Sequence, residues 1–553
     1  MVFQNGAAAL TFNPSAGTFS IHAKSGNRSS IRDAVWSVLD WRSDQMGESA
    51  VSSTRFSDAL GSGVQVDVRT PGKDAVLLMQ ARIYDELGGI ALRCGLVNKT
   101  GAAIQVTDIH VLHADGESGY ASLGADVGAH HRMLTGEGGF SYAHLLDGVA
   151  GKTLNVMTWV YLNKPESSAM LVGALTTYEF QTEITSEAAK TRADGFALTV
   201  RMFDATGKRV DDGCVFYGDW AWVDVANDAP YRAQRQYAKN MAKAMNVQLH
   251  NYNDYISVCL WYVFAFSCGD RSANTSLGAV QEAEAMNASG ITRYAPAMVR
   301  LVPDEYVNPN EQLWWDEKHW QQYIHLTPPY ETLDKWIAKM TELGAIGGLY
   351  MQPTFRSDDY CALHPEHMLF NREENEADYT DQDFLRHMQD VYTRIREAGV
   401  RAMFYDYTML VRGDIRRDEN SLLRPGGFED PYATNVSAYR NIFRIAKDTA
   451  GAELMITENT WNCSGQELAT GVIDAQRSKM DNVGMNREVV KSSVRQWYRN
   501  KTTKLIDPDV KNFTTTDSDI RRKEVSLMGL LFGKTMLGSS ISRYDAASIR
   551  DIG

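Results

Sequence analysis

Through the first 235 or so residues, apolar and polar positions come in short runs: "ALTFNP", "VQVDVRT", "AVLLMQARI", "IALRCGLVN", "IQVTDIHVLHA", "FALTVRMFD" and "CVFYGDWAWVDV". Clusters of Gly, Asn, Asp and Ser separate them, and no long helical stripe intervenes. Short runs bounded by turn residues predict an antiparallel β-sandwich. "YRAQRQYAKNMAKAMN", 231–246, then predicts a Lys- and Arg-rich helix that links this half to the next.

Beyond residue 250 the period changes. "PYETLDKWIAKMTELG" sets Leu333, Trp336, Ile337, Met340 and Leu343 on one helical face and stops at Gly344. "TDQDFLRHMQDVYTRIREAG" repeats the design with Phe384, Leu385, Met388, Val391, Tyr392 and Ile395, closed by Gly399. Between such helices lie eight strand candidates: "YISVCLWYVFAF", "YAPAMVRLVPD", "AIGGLYMQP", "VRAMFYD", "ELMITEN", a short stretch before Asp481, "TKLID" and "KTMLGSS". No glycine-rich phosphate loop follows the first of them, so a (β/α)8 TIM barrel is expected over an open doubly wound sheet. The predicted organisation is a β-sandwich over 1–230, a helical linker over 231–250 and a catalytic barrel over 251–553.

Composition narrows the function. The 553 residues carry a net charge of -13, and no basic patch stands out to meet nucleic acid or an anionic membrane. A neutral or soluble ligand fits better. No stretch approaches the roughly 20 apolar residues of a membrane span, and "MVFQNGAAAL" lacks the basic-then-apolar order of an export signal, so a cytoplasmic location is expected. The six cysteines form no CxxC pair and are expected as free thiols, a pattern a mature secreted form would share.

In a barrel the C-terminal ends of the strands meet at one mouth. The acid in "RAMFYDYTML", Asp406, ends strand four. Strand two ends at Asp304, three at Gln352, five at Glu458, six near Asp481, and seven at Asp507 and Asp509. Asp406 and Asp481 are expected to face one another. Two carboxylates flanking a glycosidic bond are the minimum equipment for its hydrolysis, one attacking or activating water and the other protonating the leaving oxygen. Trp261, Tyr306, Trp314, Trp315, Tyr405 and Trp461 are candidates to supply apolar faces for a sugar ring, though each is as readily a core residue. Arg477 stands at the end of strand six and joins the candidate sugar-binding set.

Five segments in order resemble glycoside hydrolase family 36, the α-galactosidases: "GGLYMQPTFRSDDYCALHPEHMLF" at strand three, "MFYDYT" where that family has a KWD nucleophile motif, "ITENTWNCSG" after strand five, "RSKMDN" at the acid/base position, and "IDPDV" with "DSDIRRKEVSLMGLLFGKTMLGSSISRYD" near the end. The resemblance implies a retaining double displacement, with Asp406 as nucleophile and Asp481 as acid/base, and no metal or organic cofactor. It also suggests that Cys463 lines the pocket near the sugar's second carbon and that Glu458 orients a neighbour or a hydroxyl.

The sugar-reading positions depart from that pattern. "VPDEY" stands for the paired-aspartate DDGW, leaving Asp304 alone beside Pro303, while Phe404 and Tyr405 replace Lys and Trp of KWD, and Gln352 replaces the strand-three glutamate. The expected substrate is therefore a terminal α-galactose or a modified galactose such as an amino sugar. Three other readings stay open: a transglycosylase on the same fold, a carbohydrate-binding protein without catalysis, and a metal-dependent hydrolase suggested by His364 and His367 of "HPEH" and by His130 and His131. Sandwich-plus-barrel glycosidases often associate, so a homo-oligomer is among the expectations.

Overall fold

The computed structural model describes residues 1–24, 28–136, 143–154, 159–163, 168–250, 255–302, 325–354, 356–370, 375–406, 408, 422, 425–458, 467–477, 487–513 and 517–553. The alternating runs of the first half all become strands, in two ten-stranded antiparallel sheets. One sheet contains Ala8–Asn13, Thr18–Ala23, Ser30–Val38, Ile104–Ala114, Phe196–Val210 and Gln181–Ala188, and the other contains Ser168–Ala174, Ala221–Asp224, Ile90–Asn98, Ala75–Tyr84, Gly61–Pro71 and Ala50–Asp58. Their inner faces interdigitate around Trp36, Trp159, Phe12 and Phe19, with Phe12 and Trp36 edge to face at 6.2 Å. Several strands, such as Thr18–Ala23 and Ser168–Ala174, had no clear signal, because short apolar runs are ambiguous on their own.

The linker helix α1 (Pro230–Ala244) lies on the outer face of the second sheet, where the Tyr237 hydroxyl donates to the Ala174 carbonyl at 2.6 Å. Tyr237 and Met241 there merge Trp222, Leu171 and Tyr84 of the sheet into the apolar layer around the barrel. One continuous core therefore joins the two halves.

The barrel strands are β1 (Ile256–Cys259), β2 (Ala297–Leu301), β3 (Ile346–Met351), β4 (Ala402–Tyr405), β5 (Met455–Glu458), β6 (Ala475–Arg477), β7 (Leu505–Asp507) and β8 (Thr535–Leu537). All are parallel, in the order β7-β6-β5-β4-β3-β2-β1-β8. All eight predicted strands are present, but "YISVCLWYVFAF" is strand only to Cys259 and turns helical from Leu260. The seam between β7 and β8 closes by single contacts: Gly533 N–H to the Ile506 carbonyl at 3.0 Å and Lys511 N–H to the Met536 carbonyl at 2.8 Å. A Cβ on Gly533 would sit 2.8 Å from Asn500 Oδ1 and from Leu505 Cβ, so the seam needs a bare backbone there.

Among the helices are α2 (Ser276–Ser289), α3 (Leu333–Glu342), α4 (Gln382–Ala398), α5 (Asn435–Ala450), α6 (Arg487–Arg495), α7 (Ser518–Leu531) and α8 (Ala546–Ile552). The predicted stripes of α3 and α4 face inward, with Trp336, Ile337, Met340, Phe384, Met388, Val391, Tyr392 and Ile395 buried. Gly344 and Gly399 end them at φ of 70° and 84°, left-handed values that favour glycine. Asp381 and Thr434 accept from the first-turn N–H groups of Phe384 and Ser437 and so cap α4 and α5. Among the described residues no helix is long and apolar enough to cross a membrane.

The sandwich also caps the barrel. Asp204, midway along strand Phe196–Val210, accepts from Thr206 and Gly207 N–H groups at 3.0 Å and from Val436 N–H, in the first turn of α5, at 3.4 Å. Burial pushes its carboxyl up to about 6 from an ordinary 3.8, against those hydrogen bonds. The folded chain thus holds a proton that the unfolded chain releases between about 3.8 and about 6. Stability attributable to Asp204 is full below that window and is lost as pH rises through it. At about 1.4 kcal/mol per unit, the change amounts to a few kcal/mol at most. Comparing unfolding at pH values on either side of the window, Asp204→Asn is expected to flatten this dependence.

Candidate active site

Strand pleat decides which side chains reach the mouth, because successive residues point to opposite faces. At the N-terminal end Met298, Ile346, Ala402, Met455, Ala475 and Leu505 fill the lumen and pack against Leu249 and Tyr255. Two residues along, the same faces carry Arg300, Gly348, Phe404, Thr457, Arg477 and Asp507. Another step of two from Phe404 reaches Asp406, and from Tyr350 reaches Gln352.

Asp406 is half-buried, as an accessible carboxylate at a mouth should be. The Tyr350 hydroxyl donates to its Oδ2 at 3.1 Å, and Gln352 Nε2 donates to the Tyr350 oxygen at 3.1 Å. The Asp406 N–H is held by the Met351 carbonyl at 3.0 Å. Residues of β3 and the turn beyond it therefore fix this residue at both its side chain and its backbone. Tyr350 is fixed in turn by stacking on Phe404, 6.0 Å between centroids and 22° between planes.

Below this rim the lumen is ionic. Arg477 pairs with Asp509 at 3.3 Å, and Lys534 donates to Asp507 at 3.2 Å and to Thr457 Oγ1 at 3.1 Å. Burial acts to raise the Asp507 carboxyl, yet the Lys534 ammonium and Arg477 guanidinium outweigh it and hold it below the ordinary range. Burial lowers Lys534, with Asp507 opposing. Asp507 also accepts from Asp509 N–H at 2.8 Å, and Asp509 sits at φ 68°, so this pair forms the structural turn its sequence suggested as well as lining the lumen. Arg300, Arg477 and Lys534 surround the Phe404 ring at 3.9, 5.3 and 6.0 Å from its centroid.

The structure brings Asp406, Gln352 and Arg477 to the lumen. Trp261 sits half-buried on the helical turn after β1, edge to face with Tyr262 at 5.0 Å, against the cluster of Tyr350 and Phe404. Two candidates face the other way. Tyr405 follows Phe404 by one residue, so it points outward; it is fully buried and donates to the Tyr392 hydroxyl of α4 at 2.6 Å. Glu458 follows Thr457 and likewise lies between sheet and helices. It accepts from Thr408 Oγ1 at 2.8 Å, the Tyr439 hydroxyl of α5 at 3.1 Å and Gln476 Nε2 at 2.6 Å. Burial raises its carboxyl, and Glu458 braces β5, β6 and α5 rather than holding a sugar. Asp481, Asp304, Tyr306, Trp315 and Cys463 lie outside the described residues, as do Trp314 and Trp461. Tyr350, Phe404, Arg300 and Lys534 were not foreseen as site residues; counting back by two from Gln352 and Asp406 would have found the first two.

The "HPEH" group does not reach the lumen. His364, Glu366 and His367 bring one ligand atom each within 4.8 Å of one another, but they pack outside the barrel wall, where His367 lies 6.0 Å from Phe384 of α4. Tyr360 and His367 Nδ1 share a hydrogen bond at 2.8 Å. The His364 and His367 rings stack 4.9 Å apart and only 4° from parallel, so one ion cannot lie in both ring planes as they stand. Five described cysteines, Cys94, Cys214, Cys259, Cys268 and Cys361, are free thiols as expected.

The fold is a β-sandwich joined to a (β/α)8 barrel. Solved α-galactosidases have this fold: that of Lactobacillus brevis (TM-score 0.64, 9% identity, 100% of this chain and 82% of the other), the family 36 enzyme AgaA of Geobacillus stearothermophilus (0.60, 10%, 100% and 85%) and that of Thermus thermophilus, solved with p-nitrophenyl α-D-galactopyranoside (0.53, 12%, 90% and 92%). No protein-family model and no curated protein sequence matches the chain. At such identities the likeness establishes a common fold.

The outward reading of Tyr405 is directly checked by stability. Tyr405→Phe removes its hydrogen bond and leaves the buried Tyr392 hydroxyl without that partner, which is expected to cost about 1–3 kcal/mol in denaturant unfolding. Ligand binding at the mouth should be unchanged.

Proposed function

We propose that this protein is a retaining, exo-acting α-glycosidase that removes a terminal α-galactose or modified galactose from a carbohydrate. The observation that carries this reading is Asp406, a half-buried carboxylate held at the barrel mouth by the Tyr350 and Gln352 relay. The fold shared with α-galactosidases supports the same reading.

In the first step Asp406 attacks the anomeric carbon as the glycosidic C–O bond breaks, and Asp481 gives its proton to the departing oxygen. Asp481 then takes a proton from water, whose oxygen displaces Asp406 and returns the sugar with its configuration retained. Tyr350 engages one carboxylate oxygen and so orients the attacking group. Trp261 offers an aromatic edge at the rim for a sugar or aglycone face. This mechanism uses only side chains of the chain.

A panel of aryl α-glycosides (galactoside, galactosaminide, N-acetylgalactosaminide, glucoside and arabinopyranoside) tests the proposal by nitrophenol release. Asp406→Ala is expected to lose about a thousandfold or more on the preferred substrate, with azide restoring turnover as a glycosyl azide. Retention of full activity by Asp406→Ala would remove it as nucleophile. Tyr350→Phe deletes a hydrogen bond to a charged acceptor, about 1.5–3 kcal/mol, and is expected to lower kcat/KM about ten- to a hundredfold while Asp406 still forms the intermediate.

A further inference from the structure

Backbone pairing of β4 stops at Tyr405, whose partners are Met351 of β3 and Glu458 of β5. Asp406 is therefore the first residue beyond the ladder. Toward β3 it is retained by its N–H on the Met351 carbonyl and by the Tyr350 hydroxyl. Toward β5 the ladder has already ended, and the tie is a side chain. Thr408, fully buried two residues further on, donates from Oγ1 to Glu458 Oε1 at 2.8 Å.

The acceptor is itself fixed. Glu458 Oε2 takes Gln476 Nε2 at 2.6 Å, and the Gln476 amide has one orientation open to it because its oxygen accepts from the Lys504 ammonium. Lys504 pairs with Glu467 at 3.5 Å, and Glu467 with Arg499 at 2.8 Å. The Glu467 carbonyl takes Thr177 of the sandwich at 3.1 Å. From Thr408 to Arg499 none of these side chains is more than 3% exposed. A connected polar network shut away from water is rigid, since each broken bond leaves a buried group unsatisfied.

We propose that Thr408 is a positioning residue: through Glu458 it holds the segment that carries Asp406, so that the carboxylate meets the anomeric carbon at attacking distance. The proposal rests on the glycosidase reading, in which Asp406 is the nucleophile. A strand end tied on one side alone can swing, and a displacement of about 1 Å costs about a hundredfold in rate.

The test measures kcat and KM on the preferred aryl α-glycoside, with denaturant unfolding, for the unmodified protein, Thr408→Val, Thr408→Ser and Tyr405→Phe. Thr408→Val keeps the shape and drops the hydroxyl; kcat is expected to fall about tenfold or more with KM changed less than about threefold, and Thr408→Ser to recover most of the loss. Tyr405→Phe removes a buried hydroxyl one residue before Asp406 but outside this network, and is expected to cost stability while kcat stays within about threefold. Full kcat in Thr408→Val, a loss confined to KM, no recovery in Thr408→Ser, or an equal fall in kcat for Tyr405→Phe overturns the inference. If Asp406→Ala is inactive in the same assay, the glycosidase reading survives that result. Absence of turnover by the unmodified protein overturns both. Should Thr408→Val fail to fold, Thr408→Ala carries the same comparison.

Discussion

The barrel depends on charges held where water does not reach. Pleat sends alternate side chains of each strand into the lumen, and here the layer above the apolar floor contains Arg477, Lys534, Asp507 and Asp509, all nearly unexposed. Buried pairs of this kind add little net stability, because desolvation consumes much of their attraction, but losing one partner strands the other. Their location gives them a further role. Asp507 ends β7, Asp509 follows it and Lys534 precedes β8, at the seam where the backbone ladder thins to isolated hydrogen bonds. Side-chain charge thereby joins what the sheet alone joins weakly, and it does so directly beneath the mouth.

The sandwich contributes to the same mouth from outside. The connection that begins at Asp406 is tied at its far end: Gln181 Nε2 donates to the Leu422 carbonyl at 2.9 Å, and Gly426 N–H donates to Thr206 Oγ1 at 2.8 Å. Thr177 Oγ1 donates to the Glu467 carbonyl at 3.1 Å, while the Glu467 carboxylate pairs with Arg499 at 2.8 Å. Loops that would otherwise wander over a barrel rim are thus anchored to a rigid β scaffold, which is how a loop residue can be positioned for chemistry.

The element types were legible in the sequence because period and punctuation are local signals. The stripes ending at Gly344 and Gly399, the seven apolar runs of the sandwich and the eight barrel strands all follow from them. The facing of individual residues at strand ends was less legible. Tyr405 and Glu458 were grouped with the mouth because they sit at its height, yet a one-residue offset puts them against α4 and α5. Arg300 was missed for a different reason: in "YAPAMVRLVPD" a single cation inside an apolar run has no local meaning. Its meaning appears only when β3 and β4 bring Gly348 and Phe404 beside it, a relation between segments about 50 and 100 residues apart that no window along the chain contains.

Shared fold at about 10% identity is compatible with a different sugar, because the two are set by different kinds of contact. Barrel and sandwich cores need apolar residues of suitable size at the right parity, a condition many sequences satisfy. Sugar discrimination instead rests on a few buried polar groups, each of which changes preference sharply when its partner is absent. In this chain the wall beneath Asp406 is a connected set of contacts. Phe404 is stacked against Tyr350 on one side and carries the Arg300 guanidinium over its ring, so the group that orients Asp406 and a buried lumen cation share one wall. The orientation of the Asp406 carboxylate is thereby coupled to the packing of the charged lumen layer beneath it, so a change at Phe404 is felt at the mouth.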